Sequence, residues 1–369
     1  MLHESHSAWF TENAQALDED STLAADVVPR LARGGAFAVD GQGGSLWDAV
    51  ESIAQVAGHS LTAAFAFWGH RAFIEYLLQS PNAALRQRWL PALIAGEHAG
   101  ATGLSNAMKY LGGIESLGIQ ATARAGGWWL DGSVPWCTNL RPEGFVAAAV
   151  VARSDAPPLV MALPSGRAGL VRSADLDLIA LRGSNTASLT ITAVEVSPDD
   201  LLHDNANAFL PRVRPAFLGL QCGLSIGLAR AALATAARAA GGGRGGRSVL
   251  DEPLQTQRAR LDASVAALRE GLASGSFLEQ PALLFQLRLD LADTVQQAVQ
   301  LELQASGGQA YHRDQALSFA RHWREAAFIP IVTPSVMQLR GELARRAQQQ
   351  ADAAATPAAL PQALAANAA

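Results

Sequence analysis

The residues able to do chemistry are few in this 369-residue chain. Cys137 and Cys222 lie far apart with no CxxC spacing, which supports neither a disulfide framework nor a zinc site. Lys109 is the only lysine among 28 basic residues, so the chain carries a single side-chain ammonium. Asp251, Glu252, His312 and His322 are of types that titrate, but type alone does not put any of them in a pocket. In VPWCTN, Trp136 offers a flat apolar surface close to the hydroxyl of Thr138 and the amide of Asn139. That grouping reads either as a core tryptophan at a strand end or as the wall of a ligand site. Gly307 and Gly308, in LQASGGQAYHRD, would let a backbone approach a phosphate, although paired glycines at a helix end are also an ordinary C-cap. The segment GGGRGGRS presents Arg244 and Arg247 on a flexible loop.

The elements that must position these groups follow from periodicity. From Ser7 to about Gly96 apolar residues recur three and four apart, as in LWDAVESIAQVAG and HRAFIEYLL, which predicts helices interrupted at Pro81 and Asn82. In SLTAAFAFWGH, Phe67 and Trp68 read as core packing. Between about Ala99 and Leu202 the period becomes two: GIQATARA and WWLDGSVPW flank Gly126 and Gly127 as a hairpin, and FVAAAVVAR, PPLVMALP and SLTITAVEV follow as strands. Helical periodicity returns from about Ala208. The expected organisation is a helical domain over 1–98, a β domain over 99–203, a helical bundle over 204–350 and a fraying Ala- and Pro-rich tail over 351–369. Helices, then strands, then helices leave no βαβ alternation for a Rossmann domain.

Composition narrows the partners. The chain is 49% hydrophobic with a formal charge of −5, so a folded core is expected and no basic field is available to hold nucleic acid. The N-terminus lacks a basic region followed by an apolar one, which predicts a cytoplasmic protein. The apolar run from Pro215 to Ala229 is short for a membrane span and is flanked by arginines, so no membrane is expected.

This three-part order, with local matches in register, resembles the acyl-CoA dehydrogenase superfamily over about residues 20 to 348. GEHAGATGLSN resembles the family's GE…G…LTEP segment, and VPWCTN its W-[IV]-[TS]-N strand. LRGSNTASLTITAVEVSPDDLL resembles its R-[GA]-S-x-T segment, LGLQCGLSIGLARAALATA the first bundle helix, LQASGGQAYHRD the Q-x-x-GG stretch, and REA, at Arg324 to Ala326, its RDA signature. The resemblance implies an α+β fold with an N-terminal helical domain, a central β domain and a C-terminal four-helix bundle. It also implies a flavin between β domain and bundle, FAD with FMN as the alternative, and no metal. Leu104, Ser105, Trp136, Thr138 and Ser335 would then meet the flavin ring. Gln304, Gly307 and Gly308 would reach a neighbouring subunit's cofactor in a homodimer or homotetramer. The arginine expected at the diphosphate has lost its register, leaving Arg247 or Arg244 as substitute.

One departure bears on chemistry. In the dehydrogenases a glutamate in a Y-E-G-T-S segment removes the α-proton of an acyl thioester. Counting forward from Arg324 places Thr333 on that glutamate, and Asn106 stands where the TEP glutamate would be. A neutral hydroxyl cannot serve as general base unaided. The resemblance thus implies a flavin oxidoreductase of altered chemistry, acting on an acyl thioester, acyl-CoA included, or a related small molecule. It would use a displaced base, or activate O₂ as a monooxygenase-type member; the alternative from another class is a non-catalytic flavin-binding protein.

Overall fold

The computed structural model describes residues 4–39, 44–241, 247–312 and 317–355. Among the described residues six helices come first: α1 (Glu4–Glu12), α2 (Ala14–Glu19), α3 (Ala24–Arg33), α4 (Leu46–Ala57), α5 (Leu61–Gln79) and α6 (Ala83–Ile94). The break expected at Pro81 and Asn82 separates α5 from α6. Asn82 caps α6 by accepting the Leu85 amide at 3.0 Å, and its Nδ2 donates to the Leu201 carbonyl at 3.0 Å, which ties the helix start to the β domain. α5 is buried on every face from Leu61 to Leu77, as a helix apolar all round must be.

Eight strands follow: β1 (Ala99–Thr102), β2 (Ile119–Arg124), β3 (Gly127–Cys137), β4 (Phe145–Val151), β5 (Leu159–Pro164), β6 (Leu170–Arg172), β7 (Ala187–Val196) and β8 (Leu201–His203). They form two sheets, ordered β1-β4-β5-β8 and β2-β3-β7-β6. The hairpin expected at the glycine pair joins β2 to β3: Arg124 pairs with Gly127, and Gly126 takes the left-handed φ of +81° that the turn requires.

The patterns of β4 and β3 explain how the sheets stack. FVAAAVV is buried at every residue because Val146, Ala148 and Val150 face the helices while Ala147, Ala149 and Val151 face the second sheet. β3 alternates, burying Leu130, Val134 and Cys137 and leaving its other face to solvent. The period-two stretch also contains a helix, α7 (Ser105–Leu111), that the strand reading did not anticipate. It is too short to show helical periodicity against the strands around it.

The C-terminal part comprises α8 (Ala206–Gly241), α9 (Asp251–Ser274), α10 (Ser276–Glu279), α11 (Pro281–Ser306), α12 (Leu317–Phe328) and α13 (Val336–Ala355). The apolar run from Pro215 is the middle of α8, which at 36 residues is long and apolar enough to cross a membrane by length and composition. Its apolar window is 89% buried within the fold, against α4, α5 and α11, so it is used as core. α13 continues past residue 350 to Ala355; the rest of the expected tail, like Arg244, lies outside the described residues.

Candidate active site

A cavity of about 450 Å³ opens where α5, α7, the end of β3, α8, α12 and the segment leading into α13 converge. Trp136 reaches it because β3 slips register against β7 between Val134 and Cys137. A bulge re-aims a side chain in this way, and Trp136 is left 56% exposed on the wall. Thr138, just past the strand, is buried on the same wall; its Oγ1 donates to the Ser184 carbonyl at 3.3 Å, so toward the cavity the oxygen is an acceptor.

Ser105 opens α7, and its hydroxyl donates to Thr333 Oγ1 at 3.0 Å across the cavity. The bond joins the segment after β1 to the turn before α13. Thr333 lies on the wall, its own proton left for a further acceptor. The Thr333 carbonyl accepts from Gln221 Nε2 at 3.0 Å, and Gln221 Oε1 accepts from Arg288 Nε at 2.9 Å. Arg288 Nη2 donates to the Ile329 carbonyl at 2.7 Å, while Nη1 is buried with no hydrogen-bond partner. Burial holds this guanidinium below its ordinary pKa, and no carboxylate lies within ion-pair distance of it among the described residues.

Ser335 and Gln338 form a reciprocal cap at the start of α13: Gln338 Oε1 accepts the Ser335 amide at 2.6 Å and Ser335 Oγ accepts the Gln338 amide at 3.3 Å. The S-x-x-Q spacing is the sequence signal for it. Both line the cavity. Arg324 is on the wall too, but its Nε donates to Asp18 Oδ2 at 2.9 Å, and the other Asp18 oxygen accepts the Leu181 amide at 3.0 Å. Asp18 thereby holds two parts of the wall from α2, a role that nothing in its local sequence announces.

The structure gathers Ser105, Trp136, Thr138, Thr333 and Ser335 around one space. Leu104 does not line the cavity: its side chain is fully buried in the helical core. Gln304, Gly307 and Gly308 lie off the wall, at the end of α11 and in the turn after it. Among the described residues a Cβ built on Gly307 or Gly308 would meet nothing within 4 Å, and both glycines are exposed. Arg247 begins a short turn before α9; its side chain lies outside the described residues.

Residues that pattern reading missed make the apolar half of the wall: Phe65, Phe217, Phe328, Ile179 and Ile331. Trp68 combines two roles. It is buried, as expected, and stacks on Phe65 with ring centroids 5.4 Å apart, but it also lines the cavity. Among the described residues no aspartate, glutamate or histidine lines the space. Asp251, Glu252 and His312 are exposed elsewhere, and His322 is paired with Glu302 at 2.8 Å inside the bundle. Asn106 is structural: its side chain accepts the Gly118 amide at 2.8 Å and donates to Glu115 and Ser116, closing the loop after α7.

No family model matches the sequence. Mitochondrial isovaleryl-CoA dehydrogenase of Arabidopsis thaliana is 28% identical over 162 residues, which is 42% of this chain and 38% of that protein. The aligned stretch is therefore well under two thirds of the relative's length. Glutaryl-coenzyme A dehydrogenase, solved with glutaryl-CoA, superposes with a TM-score of 0.79 over 94% of each chain at 16% identity. The chain has the acyl-CoA dehydrogenase fold, and part of its sequence is similar to members of that superfamily. A dibenzothiophene monooxygenase from Paenibacillus shares the superfamily fold, with a TM-score of 0.73, 19% identity, and coverage of 94% of this chain and 96% of that one.

Proposed function

We propose that the protein is a flavin-dependent oxidoreductase that oxidises a small molecule with O₂, without carboxylate-assisted removal of an α-proton. The observation that carries this is the wall itself: no acid or imidazole lines it among the described residues, and Thr333 stands among its hydroxyls. The residues fit a flavin ring, with the flat face of Trp136, the acceptor Thr138 and the hydroxyls of Ser105, Thr333 and Ser335 around an otherwise apolar space. When bound, the flavin supplies two-electron chemistry and, once reduced by an external donor, passes electrons to O₂, one oxygen atom going to the substrate and the other to water.

The chain's own groups then have definite tasks. Ser105 donates to Thr333, which orients the remaining Thr333 proton toward an oxygen in the cavity. Phe65, Trp68, Phe217 and Phe328 exclude water from the apolar side. FAD is the favoured form of the cofactor. Gly307 and Gly308, open to solvent at the end of α11, would meet its diphosphate in a neighbouring subunit of a cytoplasmic homodimer or homotetramer.

The test is a visible spectrum of purified protein with extraction of the flavin, followed by anaerobic reduction and mixing with aerated buffer. Yellow protein whose reduced form is reoxidised rapidly by air, with little octanoyl-CoA dehydrogenation by an artificial acceptor, is expected. Colourless protein that takes up neither FAD nor FMN would overturn the flavin assignment. Robust turnover of acyl-CoA by the wild type would overturn the O₂ reading. Trp136→Ala combined with Thr138→Ala should weaken flavin retention about tenfold, since stacking area and a hydrogen bond both go.

A further inference from the structure

We infer that the cavity takes an apolar substrate ending in a carboxylate, and that Lys109 is the group that holds this carboxylate. The inference rests on the cavity being the active site proposed above. Lys109 lies one helical turn after Ser105 on α7, so both side chains share a face, and both line the space. It is the only lysine of the chain, and it stands on this wall.

The charges around it decide what it is free to bind. Its ion pair is with Glu115 at 3.2 Å, and both side chains are about one-third exposed, where solvent screens the attraction. One oxygen of Glu115 is further occupied by Asn106 Nδ2 at 2.8 Å. An ammonium has three donors, and this pair uses one. Arg324, the other cation on the wall, is engaged by the buried Asp18 and is not free. Among the described residues no acid lines the space to repel an anion.

Behind Thr333 lies a second, independent observation. Arg288 is 1% exposed, its hydrogen-bond partners are neutral, and its Nη1 has none. An uncompensated cation in a low-dielectric interior makes the adjoining space electropositive. The aromatic side chains opposite accommodate an apolar body. The combination selects for an acid with a hydrocarbon or aromatic body over its neutral amide.

The experiment is equilibrium dialysis of the purified protein with octanoate and phenylacetate, each against its amide, octanamide and phenylacetamide, at pH 7.5. Each acid should bind about tenfold tighter than its amide, the size of one charge-assisted hydrogen bond. Lys109→Met should bring the ratio to about one, Lys109→Arg should keep most of it, and Glu115→Gln should raise it. Circular dichroism and thermal midpoints of the variants establish that they are folded. Equal binding of acid and amide by the wild type, or an undiminished ratio in Lys109→Met, overturns the inference. Flavin content read by absorbance in the same samples separates the two readings. Acid preference in protein that binds no flavin defeats only the proposed function, and flavin-loaded protein without acid preference defeats only this inference.

Discussion

Arg321, His322 and Arg324 on α12 each face an acid, whereas Arg288 on α11 faces none. In the first region Arg321 Nη1 donates to Glu325 at 2.8 and 3.0 Å, His322 meets Glu302, and Arg324 meets Asp18. Glu325 also accepts the Leu61 amide at 3.0 Å. The acids come from α2, α11 and α12; the Arg324–Asp18 pair and the Glu325 bond to Leu61 fasten the N-terminal helices to the bundle, and the other two pairs lie within it. Burial lifts the Glu325 carboxyl above its ordinary range, and Arg321 opposes that lift. In the second region Arg288 is bonded to an amide oxygen and a carbonyl, under the turn that carries Thr333. Charge is neutralised on α12, the Arg324 that reaches the cavity wall included, and left unneutralised beneath the turn that carries Thr333.

The largest expected effect tests that contrast directly. Glu325→Ala should cost about 3–5 kcal/mol, because it strands a buried guanidinium and an amide N–H. Arg288→Met should cost less, about 1–2 kcal/mol, since it removes the donor to two acceptors but leaves no charge behind. Urea denaturation of both variants measures the difference; equal losses would mean that Arg288 has a counter-charge after all.

Adding an acid to the region that lacks one comes next. Thr333→Glu places a carboxylate on the wall, at the position of the family's base. It should raise dehydrogenation of octanoyl-CoA, followed with an artificial electron acceptor, about 10²-fold over the wild type, the lower end of what general-base assistance supplies. A purified, flavin-loaded variant with no gain would show that the missing acid is not what closes this reaction.

How much of this was legible depended on the range of the interactions. Local periodicity revealed the succession of helices, strands and helices, the hairpin at Gly126, and β4 as a strand. Short segments failed: three- and four-residue strands such as β6 and β1 cannot show alternation, and α7 is barely two turns. At the site, the motif-bearing Ser105, Trp136 and Thr138 could be named from sequence because each lies in a recognisable local pattern, and Thr333 by counting forward from Arg324. Asp18, Gln221 and Arg288 could not, since their partners are 306, 112 and 67 residues away respectively, and no local pattern records such pairings. Leu104 adjoins a motif residue, but its side chain lies in the core and not on the wall.

A third kind of buried group, kept neutral, should respond to pH. His70 lies between α6 and β1: its Nδ1 accepts the Gly100 amide at 2.9 Å, so the proton is assigned to Nε2, which donates to the Leu93 carbonyl at 3.0 Å. Burial holds its pKa down to about 3, against 6.5 for the free side chain. The unfolded chain therefore takes up a proton in a range where the folded one does not. This contribution is complete above pH 6.5 and is lost as pH falls from there toward 3. Between pH 7.5 and 5 it amounts to about 2 kcal/mol. Urea midpoints across that range should fall in the wild type and fall less in His70→Gln; parallel profiles would show that the imidazole is protonated in the fold.

The smallest effect expected concerns the hydroxyl bridge that closes the acid-free region. Ser105 and Thr333 are 228 residues apart and joined by one neutral hydrogen bond of 3.0 Å in a partly buried setting. Removing either partner should cost about 1 kcal/mol. Ser105→Ala leaves Thr333 with a free acceptor that solvent can reach, and Thr333→Val keeps the shape of the wall while deleting the oxygen. The two single losses should exceed the loss in the double variant when added together, with a coupling of about 0.5–1 kcal/mol, because the second deletion has no bond left to break. Additivity within about 0.3 kcal/mol would mean that the two hydroxyls act independently. The segment after β1 and the turn before α13 would then be aligned by the Gln221 contact to the Thr333 carbonyl and by packing, and Thr333 would have both its lone pairs and its proton available to whatever occupies the cavity.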